Sequence, residues 1–296
     1  MRVIKITVIT MFAYVCVAGC MKIEPVRFAA IGDTPYFDSD VELQLLSDSL
    51  QDMADNKIPF VVHIGDIFSG RVGCSSELYK RRADVFSRSP IPFLITIGDN
   101  EFSDCKDSGY AQKLFRMIIL NSPPIDQIVK GTKVAFESVK VKRQRKMIEN
   151  ATWSHHNVQF IMLVLPDLPG NYPLSQHAIN KILDANADFM HKYFAESRKK
   201  DRDAIVLLMH SNPLACSVAG CKKFSDALFN EIKHYGKPVL LVNGSDHSQE
   251  FIDGNYMDVH NLWHLRPGSE PEESWPEVMY YKNNNRFAVK WHVAPD

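Results

Sequence analysis

Three apolar segments of the chain end in the same tripeptide, Ile-Gly-Asp, and this repeated ending constrains the fold more than any other feature. The tripeptides lie at residues 31–33, 64–66 and 97–99. Apolar runs of this kind predict strands that are buried on both faces of a sheet. In an open α/β sheet, ligands bind beyond the carboxyl ends of the strands, so the three aspartates are predicted to meet at one edge. The glycine before each aspartate lets the backbone turn tightly there.

The spacing of the other apolar residues predicts a layered α/β domain. Near-continuous apolar runs predict strands, and segments that are apolar on one side predict helices between them. The predicted strands span residues 26–31, 60–64, 93–97, 158–165, 204–209 and 238–242. The predicted helices span residues 41–50, 76–89, 109–120, 175–197 and 224–234. The first half therefore alternates strand and helix, and residues 21–296 are predicted to form one domain.

The composition excludes several classes of protein. Hydrophobic residues make up 45% of the 296 and charged residues 23%, which excludes collagen-like, low-complexity and largely disordered chains. The 34 basic and 35 acidic residues nearly balance, whereas a nucleic-acid-binding protein usually gathers a basic excess on one face, so no nucleic-acid partner is expected. The basic run at residues 140–146 predicts a solvated loop or helix face. Contact with anionic lipid or a phosphorylated ligand is the alternative.

The N-terminus has the features of an export signal. Arg2 and Lys5 precede an uncharged, mostly apolar stretch at residues 6–18, and Val-Ala-Gly-Cys follows at residues 17–20. This ending resembles the lipobox of bacterial lipoproteins, so residues 1–20 are predicted to be a lipoprotein signal peptide and Cys20 the lipidated residue. A plain secretory signal is the alternative. The expected location is the cell envelope, with the chain lipid-anchored on the periplasmic or cell-surface side of a bacterial membrane.

Export would place four further cysteines in an oxidising compartment, where disulfides form. Four cysteines allow three pairings. Cys216 and Cys221 are close enough in sequence to close one loop, and Cys74 and Cys105 each follow a Gly-Asp strand end, so their loops would lie side by side. Cys74–Cys105 and Cys216–Cys221 are therefore the predicted disulfides. Structural zinc is the other common use of four cysteines, but the sequence contains no Cys-x-x-Cys pair.

The strand-end residues predict a metal site. Three carboxylates at one edge repel one another unless a cation neutralises them. Two histidines stand in comparable positions, because His210 follows the predicted strand at 204–209 and His247 follows the one at 238–242. A mixed set of carboxylate and imidazole ligands suits manganese, iron or zinc better than calcium.

The chain resembles the calcineurin-like metallophosphoesterases. Their pattern is Asp-x-His, Gly-Asp, Gly-Asn-His-Asp/Glu, a separate His, and Gly-His-x-His, each at a strand end. The matching segments here are Asp33-Thr34-Pro35, Gly65-Asp66, Gly98-Asp99-Asn100-Glu101, His210 and Gly244-Ser245-Asp246-His247. The stretches Gly-Asp-Thr-Pro-Tyr at 32–36 and Gly-Asp-Asn-Glu at 98–101 resemble a bacterial subgroup of lipoproteins within that family. The resemblance implies a fold of two packed sheets flanked by helices.

The resemblance also implies roles for individual residues. Asp66 would bridge two divalent metal ions; Asp33 and His247 would bind the first, and Asp99 and His210 the second. A hydroxide held between the metals would attack phosphorus in line. The implied activity is a metal-dependent phosphoesterase that hydrolyses a small, exported phosphate ester.

Four positions depart from the pattern: Asp99 replaces an asparagine ligand, which keeps an oxygen ligand and adds negative charge, and three others make the predicted site atypical. Pro35 stands in place of a histidine ligand, Asn100 in place of the histidine that protonates the leaving group, and Ser245 in place of another histidine ligand. Asp246 is a candidate replacement ligand if its side chain turns inward. An amide is no general acid, a role worth roughly 10²–10⁴-fold, so substrates with good leaving groups should suffer least. A degenerate, non-catalytic envelope lipoprotein that binds metal or phosphate is the alternative function.

Five residues complete the prediction of the site. Asn100 and His247 are the candidate catalytic residues. Asn100, Glu101 and Asn212 are candidate substrate contacts, and a role in holding the loop is the alternative for Glu101 and Asn212. His63 precedes Asp66 on the same predicted strand, but the alternation of a strand turns it to the opposite face, which favours a buried structural role.

Overall fold

The computed structural model describes residues 24–121, 140–168, 170–172, 174–213, 218–271 and 273–293. The predicted signal peptide with Cys20 lies outside these residues, and so does Cys216 of the second predicted disulfide. No helix within the described ranges is both long and apolar enough to cross a membrane.

The described residues form strands and helices in alternation, followed by antiparallel strands near the C-terminus. The strands are β1 (Val26–Ile31), β2 (Val61–His63), β3 (Phe93–Ile95), β4 (Lys142–Arg143), β5 (Ala151–His155), β6 (Val158–Met162), β7 (Ala204–Leu208), β8 (Val239–Val242), β9 (Gln249–Ile252), β10 (Leu262–Pro267), β11 (Ser274–Tyr281) and β12 (Arg286–Val293). The helices are α1 (Asp40–Asp55), α2 (Ser76–Ser87), α3 (Ser108–Leu114), α4 (Gln176–Lys199) and α5 (Cys221–Tyr235). A π-helical turn at Phe115–Ile119 continues α3, and a 3-10 turn lies at Tyr256–Asp258.

The strands form two sheets. The first has the order β12-β11-β1-β2-β3, and the second β4-β5-β6-β7-β8-β10-β9. Strands β1, β2 and β3 are parallel neighbours, as are β6, β7, β8 and β10. The carboxyl ends of β1, β2 and β3 therefore lie side by side, as the three Gly-Asp endings predict.

Three apolar layers hold the two sheets and the helices together. The central layer lies between the sheets and contains Phe28, Phe60, Phe160 and Leu240. A second layer packs α1 and α2 against the outer face of the first sheet, and a third packs α4 and α5 against the outer face of the second. The chain is thus a β-sandwich flanked by helices, which confirms the predicted fold class.

Local sequence accounts for most of the predicted elements. Ser39, Ser75 and Ser175 cap the first turns of α1, α2 and α4, since each hydroxyl accepts a backbone N–H from the residue three positions later. The predicted strands all appear, several of them one to three residues shorter than expected. The predicted helix at 109–120 differs, because α3 ends at Leu114 and continues as the π-helical turn.

The Cys74–Cys105 pair is a disulfide in this structure, with Cα atoms 5.8 Å apart. It joins the loop before α2 to the loop that follows Asp99, which is the side-by-side arrangement expected. The basic run at 140–146 is solvated as predicted, because its lysines and Arg145 are exposed or nearly so. It contains the two-residue edge strand β4, however, rather than only a loop or a helix face.

Candidate metal centre

The three Gly-Asp turns bring two carboxylates into one buried cluster. Asp33 and Asp66 follow β1 and β2 with φ angles of +55° and +59°, in the left-handed region that few residues other than glycine adopt. Gly98 permits the close approach of the third turn, because a Cβ there would collide with the Asp66 carboxylate. Asp33 is 1% exposed and Asp66 is 3% exposed, so both charges need a partner within the protein.

Burial changes the ionisation of this cluster. Desolvation raises the pKa of Asp33 to about 6 and raises the pKa of Asp66 well above its ordinary value. Burial acts in the same direction on Asp99, but the hydrogen bond and charge of His210 outweigh it and lower the pKa of Asp99. The folded chain therefore holds carboxylates that bind protons readily when no cation neutralises them.

His210 presents one nitrogen to this cluster from the second sheet. It follows β7 and is fully buried, and its Nδ1 lies 3.1 Å from the carbonyl oxygen of Ile64. A carbonyl only accepts, so Nδ1 carries the proton of the neutral ring and Nε2 keeps a free lone pair. Nε2 lies 2.7 Å from Asp99 Oδ1 and 3.5 Å from Asp66 Oδ1.

The Nε2 environment fits a cation. This atom is buried and has no well-aligned hydrogen-bond partner among the described residues. The short contact between Nε2 and Asp99 Oδ1 is a hydrogen bond only when the imidazole carries a second proton. In the neutral ring, Nε2 and Oδ1 both direct lone pairs into the same space. Two ligands of one cation are arranged in this way. Burial opposes a second proton, but Asp66, Asp99 and Asp33 outweigh it and raise the pKa of His210 well above its ordinary value.

A ligand set for a divalent cation is therefore present. Ligand atoms of Asp33, Asp66 and His210 all lie within 4.8 Å of one another. Two carboxylates and one imidazole form a donor set typical of manganese, iron or zinc. Asp99 lies beside His210 and extends the set, so four of the five predicted strand-end residues are together.

His247 lies at the outer side of the same cluster. Its Nε2 is 3.6 Å from Asp33 Oδ1, and its side chain is 38% exposed. The preceding loop approaches the same aspartate, because the Ser245 N–H lies 3.3 Å from Asp33 Oδ1. Gly244 lets this loop pass, since a Cβ there would collide with the Asp33 carboxylate. The ring of Tyr36 lies edge-on to His247, with ring centres 4.7 Å apart.

Asp246 pairs with Arg266 rather than joining the candidate ligands, contrary to the expectation that it replaces the histidine absent at position 245. Its carboxylate forms an ion pair with Arg266 and accepts hydrogen bonds from the Ser248 N–H and hydroxyl. The side chain is 45% exposed, and these partners engage both of its carboxylate oxygens.

Asn100 supports a cluster ligand with its side chain. Its backbone N–H and its Nδ2 donate to the two Asp66 carboxylate oxygens, at 3.1 and 2.7 Å. The amide thus fixes the orientation of Asp66 and has no proton that it can transfer to a leaving group. Asn100 is 5% exposed, so the structure favours a supporting role over broad contact with a substrate.

Glu101 acts within the loops. It is fully buried, and its carboxylate accepts the backbone N–H groups of Asp66, Ile67 and Gly98 at 2.6 to 3.2 Å. Burial raises the pKa of Glu101 to about 7, although the Gly98 hydrogen bond lowers it. The prediction that Glu101 contacts the substrate is therefore wrong, because its side chain is fully buried. Glu101 instead holds the loops, which was the alternative prediction.

Two other predicted residues lie close to the strand ends. Asn212, two residues after His210, donates through Nδ2 to the Tyr256 hydroxyl at 3.1 Å, and its contact with substrate stays a prediction. His63 is fully buried, as expected from strand alternation. Its Nδ1 accepts the Gly65 N–H at 3.1 Å, so its Nε2 carries the proton and donates to the Thr34 carbonyl at 2.6 Å. His63 thereby ties the Asp33 and Asp66 loops together.

Asp167 is a residue near the site that the sequence analysis missed. Its carboxylate accepts the hydroxyls of Ser211 and Ser245, so it spans the loops after β7 and β8. The signal was present, since the apolar run at 158–165 ends in Pro-Asp much as the others end in Gly-Asp. Without the glycine, the pattern did not stand out.

Comparison with known proteins identifies a family. A sequence profile described as calcineurin-like phosphoesterase matches residues 26–249. No curated protein sequence matches the chain significantly.

Solved structures with a similar fold share little sequence with this chain. A dimetal phosphatase from Danio rerio superposes with a TM-score of 0.58 at 15% identity, over 91% of this chain and 97% of that one. A purple acid phosphatase from yellow lupin (Lupinus luteus) seeds superposes with a TM-score of 0.52 at 12% identity, over 91% of this chain and 51% of that one. A protein from Thermus thermophilus gives 0.50 at 12% identity, over 90% and 98%. At these identities the likeness concerns the fold.

Proposed function

The chain belongs to the calcineurin-like phosphoesterase family, and from this premise we propose that it is a metal-dependent phosphoesterase that hydrolyses a small, exported phosphate ester. The observation that carries the proposal is the buried group of Asp33, Asp66 and His210, whose ligand atoms lie within 4.8 Å of one another. Two cations are proposed, as in the Danio rerio dimetal phosphatase of similar fold. Manganese, iron and zinc are the candidates.

The candidate ligands form two sets, one for each proposed cation. Asp66 would contact both cations; Asp33 and His247 would hold one, and Asp99 and His210 the other. When bound, divalent cations would supply Lewis acidity and a hydroxide nucleophile at neutral pH. Asn100 and Glu101 keep the Asp66 loop in place, the first through the carboxylate and the second through the backbone.

The leaving group departs without a protein acid in this proposal. Position 100 carries an amide that is already bonded to Asp66, so it donates a hydrogen bond but no proton. The rate should therefore depend steeply on the leaving group, with esters of acidic phenols hydrolysed much faster than alkyl esters. A shallow dependence on the leaving-group pKa would contradict this part of the proposal.

The envelope location is proposed from the N-terminal sequence. Lipidation at Cys20 would anchor the domain stably only with more than one acyl chain, because a single chain binds membranes weakly. The Cys74–Cys105 disulfide is consistent with an oxidising compartment. Labelling with a radioactive fatty acid, compared between the natural chain and Cys20→Ala, tests the anchor directly.

One experiment tests the activity. The purified protein, loaded with Mn²⁺, should hydrolyse p-nitrophenyl phosphate, and a chelator should stop the reaction reversibly. Asp66→Asn should lower kcat/KM by at least about 10³-fold, because the ligand shared by both cations is lost. Asp48→Asn, at an exposed position on α1, is the matched control and should change nothing.

The binding module without turnover is the second candidate, and the engaged amide of Asn100 is the observation that favours it. Elemental analysis separates the two functions, since two cations per chain support the enzyme and one or none supports the binding module. Hydrolysis that survives both Asp66→Asn and the chelator would refute the metal-dependent mechanism.

A further inference from the structure

Two aromatic side chains connect the solvent to a candidate metal ligand. Phe37 is 57% exposed, and its ring contacts that of Tyr36 at 5.7 Å between centres and 90° between planes. Tyr36 in turn contacts the His247 ring at 4.7 Å and 79°. We call Phe37 and Tyr36 the aromatic platform. It begins at the surface and ends against the imidazole that approaches Asp33.

The backbone of the platform is held by a buried charge. Arg82 has a fully buried side chain that donates to the Phe37 carbonyl at 3.0 Å and to the Ile67 carbonyl at 2.7 Å. The same guanidinium pairs with Asp38 at 3.3 Å. Burying a charged group is costly unless its hydrogen bonds are satisfied, so these contacts keep the residues of the platform in one position.

Two further hydrogen bonds hold the same segment from other sides. The Ser69 N–H donates to the Tyr36 carbonyl at 2.6 Å, and the Phe37 N–H donates to Glu42 at 2.5 Å. The platform therefore stands on a backbone tied to the loop after β2, to α1 and to α2. Its exposed ring is presented by a fixed segment.

An exposed phenylalanine is by itself ordinary, because apolar atoms cover much of any protein surface. Phe37 differs in its position, since the ring contacts a side chain that contacts a candidate metal ligand. It also differs in rigidity, because a pre-organised aromatic surface loses little entropy when it binds a ligand. Both features favour a binding surface.

We infer that the aromatic platform stacks against a planar aromatic ring in the leaving group of the substrate, a nucleobase or an aryl group. The inference rests on the proposed phosphoesterase activity, because it places the phosphate at the metal cluster and the ring on Phe37. Two successive ring contacts, at 5.7 and 4.7 Å between centres, link Phe37 to His247 through Tyr36, so the platform lies beside the candidate metal ligands. Every base has a face that stacks on an aromatic side chain, so stacking selects a class of substrates rather than one base.

The test compares two substrates that differ only in the ring. AMP and ribose 5-phosphate carry the same sugar and phosphate, and only AMP carries a base. Stacking predicts a kcat/KM for AMP that is roughly 5- to 150-fold higher in the natural protein. Phe37→Ala should remove most of this preference and leave ribose 5-phosphate within about twofold.

Two variants serve as controls. Phe37→Tyr keeps a ring at the position and should keep the preference for AMP. Tyr110→Ala removes a side chain of similar exposure, 50%, from α3 and should leave both substrates unchanged. p-Nitrophenyl phosphate distinguishes the two ring types: if Phe37→Ala lowers its kcat/KM as well, the platform accepts aryl rings, and if only AMP is affected, it accepts nucleobases.

Binding provides a readout that does not depend on turnover. 2-Aminopurine riboside 5′-monophosphate loses fluorescence when its base stacks on an aromatic ring, so the Mn²⁺-loaded protein should quench it and Phe37→Ala should not. An equal kcat/KM for AMP and ribose 5-phosphate, or quenching that survives Phe37→Ala, would overturn the inference and leave the phosphoesterase proposal standing. If no phosphate ester is hydrolysed, the phosphoesterase proposal fails, and the quenching still decides whether the platform binds a base.

Discussion

The strand-end ligands and the loop at residues 244–248 differ in how firmly the fold holds them. Asp33, Asp66 and His210 are at most 3% exposed and follow strands that are buried on both faces. His247 is 38% exposed and stands in a loop with positive φ at residues 245 and 247. A candidate ligand on a buried strand end has lost its conformational freedom before a cation arrives, whereas a more exposed loop side chain loses more of its freedom on binding. The cation proposed for Asp66, Asp99 and His210 should therefore bind more tightly than the one that Asp33 would share with His247.

Removing one histidine from each region gives the largest expected contrast. His210→Ala should weaken the first Mn²⁺ by at least about 100-fold, because even residues that only orient metal ligands contribute roughly 10- to 100-fold. His247→Ala should keep one Mn²⁺ near its natural affinity and lose the second. Calorimetric titration with Mn²⁺ and elemental analysis of both variants measure this, and equal losses would remove the distinction between the regions.

The second prediction concerns the pH dependence of the free energy of unfolding, and its expected effect is smaller than that of the histidine variants. Burial raises the pKa of Asp33 to about 6, so the cation-free folded chain binds more protons than the unfolded chain between about pH 4 and 6. Stability then falls as pH rises through this window, by about 2–3 kcal/mol for this group. The raised pKa values of Asp66 and His210 act in the same direction.

A bound cation should prevent this fall in stability, because it neutralises the carboxylates in place of the protons. The increase in melting temperature caused by Mn²⁺ should therefore be larger at pH 7 than at pH 5. Asp33→Asn is the matched variant and should reduce this difference. A Mn²⁺ effect that is independent of pH, or larger at pH 5, would contradict the placement of the cation in the strand-end cluster.

The smallest expected effect concerns the loop. Asp246→Asn should keep both the number of bound cations and kcat/KM within about twofold, because its carboxylate pairs with Arg266. Loss of a half-exposed ion pair costs at most about 1 kcal/mol of unfolding free energy. Loss of one cation in this variant would show that Asp246 turns inward after all.

The positions of the candidate ligands at strand ends were predictable because their signal is local. Each Gly-Asp follows an apolar run within a few residues, and the ends of neighbouring parallel strands must meet. The same reasoning placed His210 and His247 at strand ends on the second sheet. It placed His63 on the opposite face, because strand alternation depends only on sequence position.

The features that the sequence did not predict depend on contacts between distant parts of the chain. Glu101 follows Asp99 by two residues and was a candidate substrate contact, yet its carboxylate binds backbone groups of the loops after β2 and β3. Asp246 faces Arg266, which lies 20 residues further along the chain. The C-terminal strands were also missed, although β11 pairs with β1 and extends the first sheet. Such partners are chosen by folding, and no short pattern encodes them.

By itself, the sequence determined which residues stand at the strand ends, the α/β class and the family, because apolar runs and their endings are properties of consecutive residues. The tertiary structure alone decided what the side chains do there. Among the described residues it left Nε2 of His210 without a well-aligned partner, used Asn100 and Glu101 to hold the Asp66 loop, and paired Asp246 with Arg266. The physical reason is that a buried polar group must find its partner in three dimensions, wherever in the chain that partner lies.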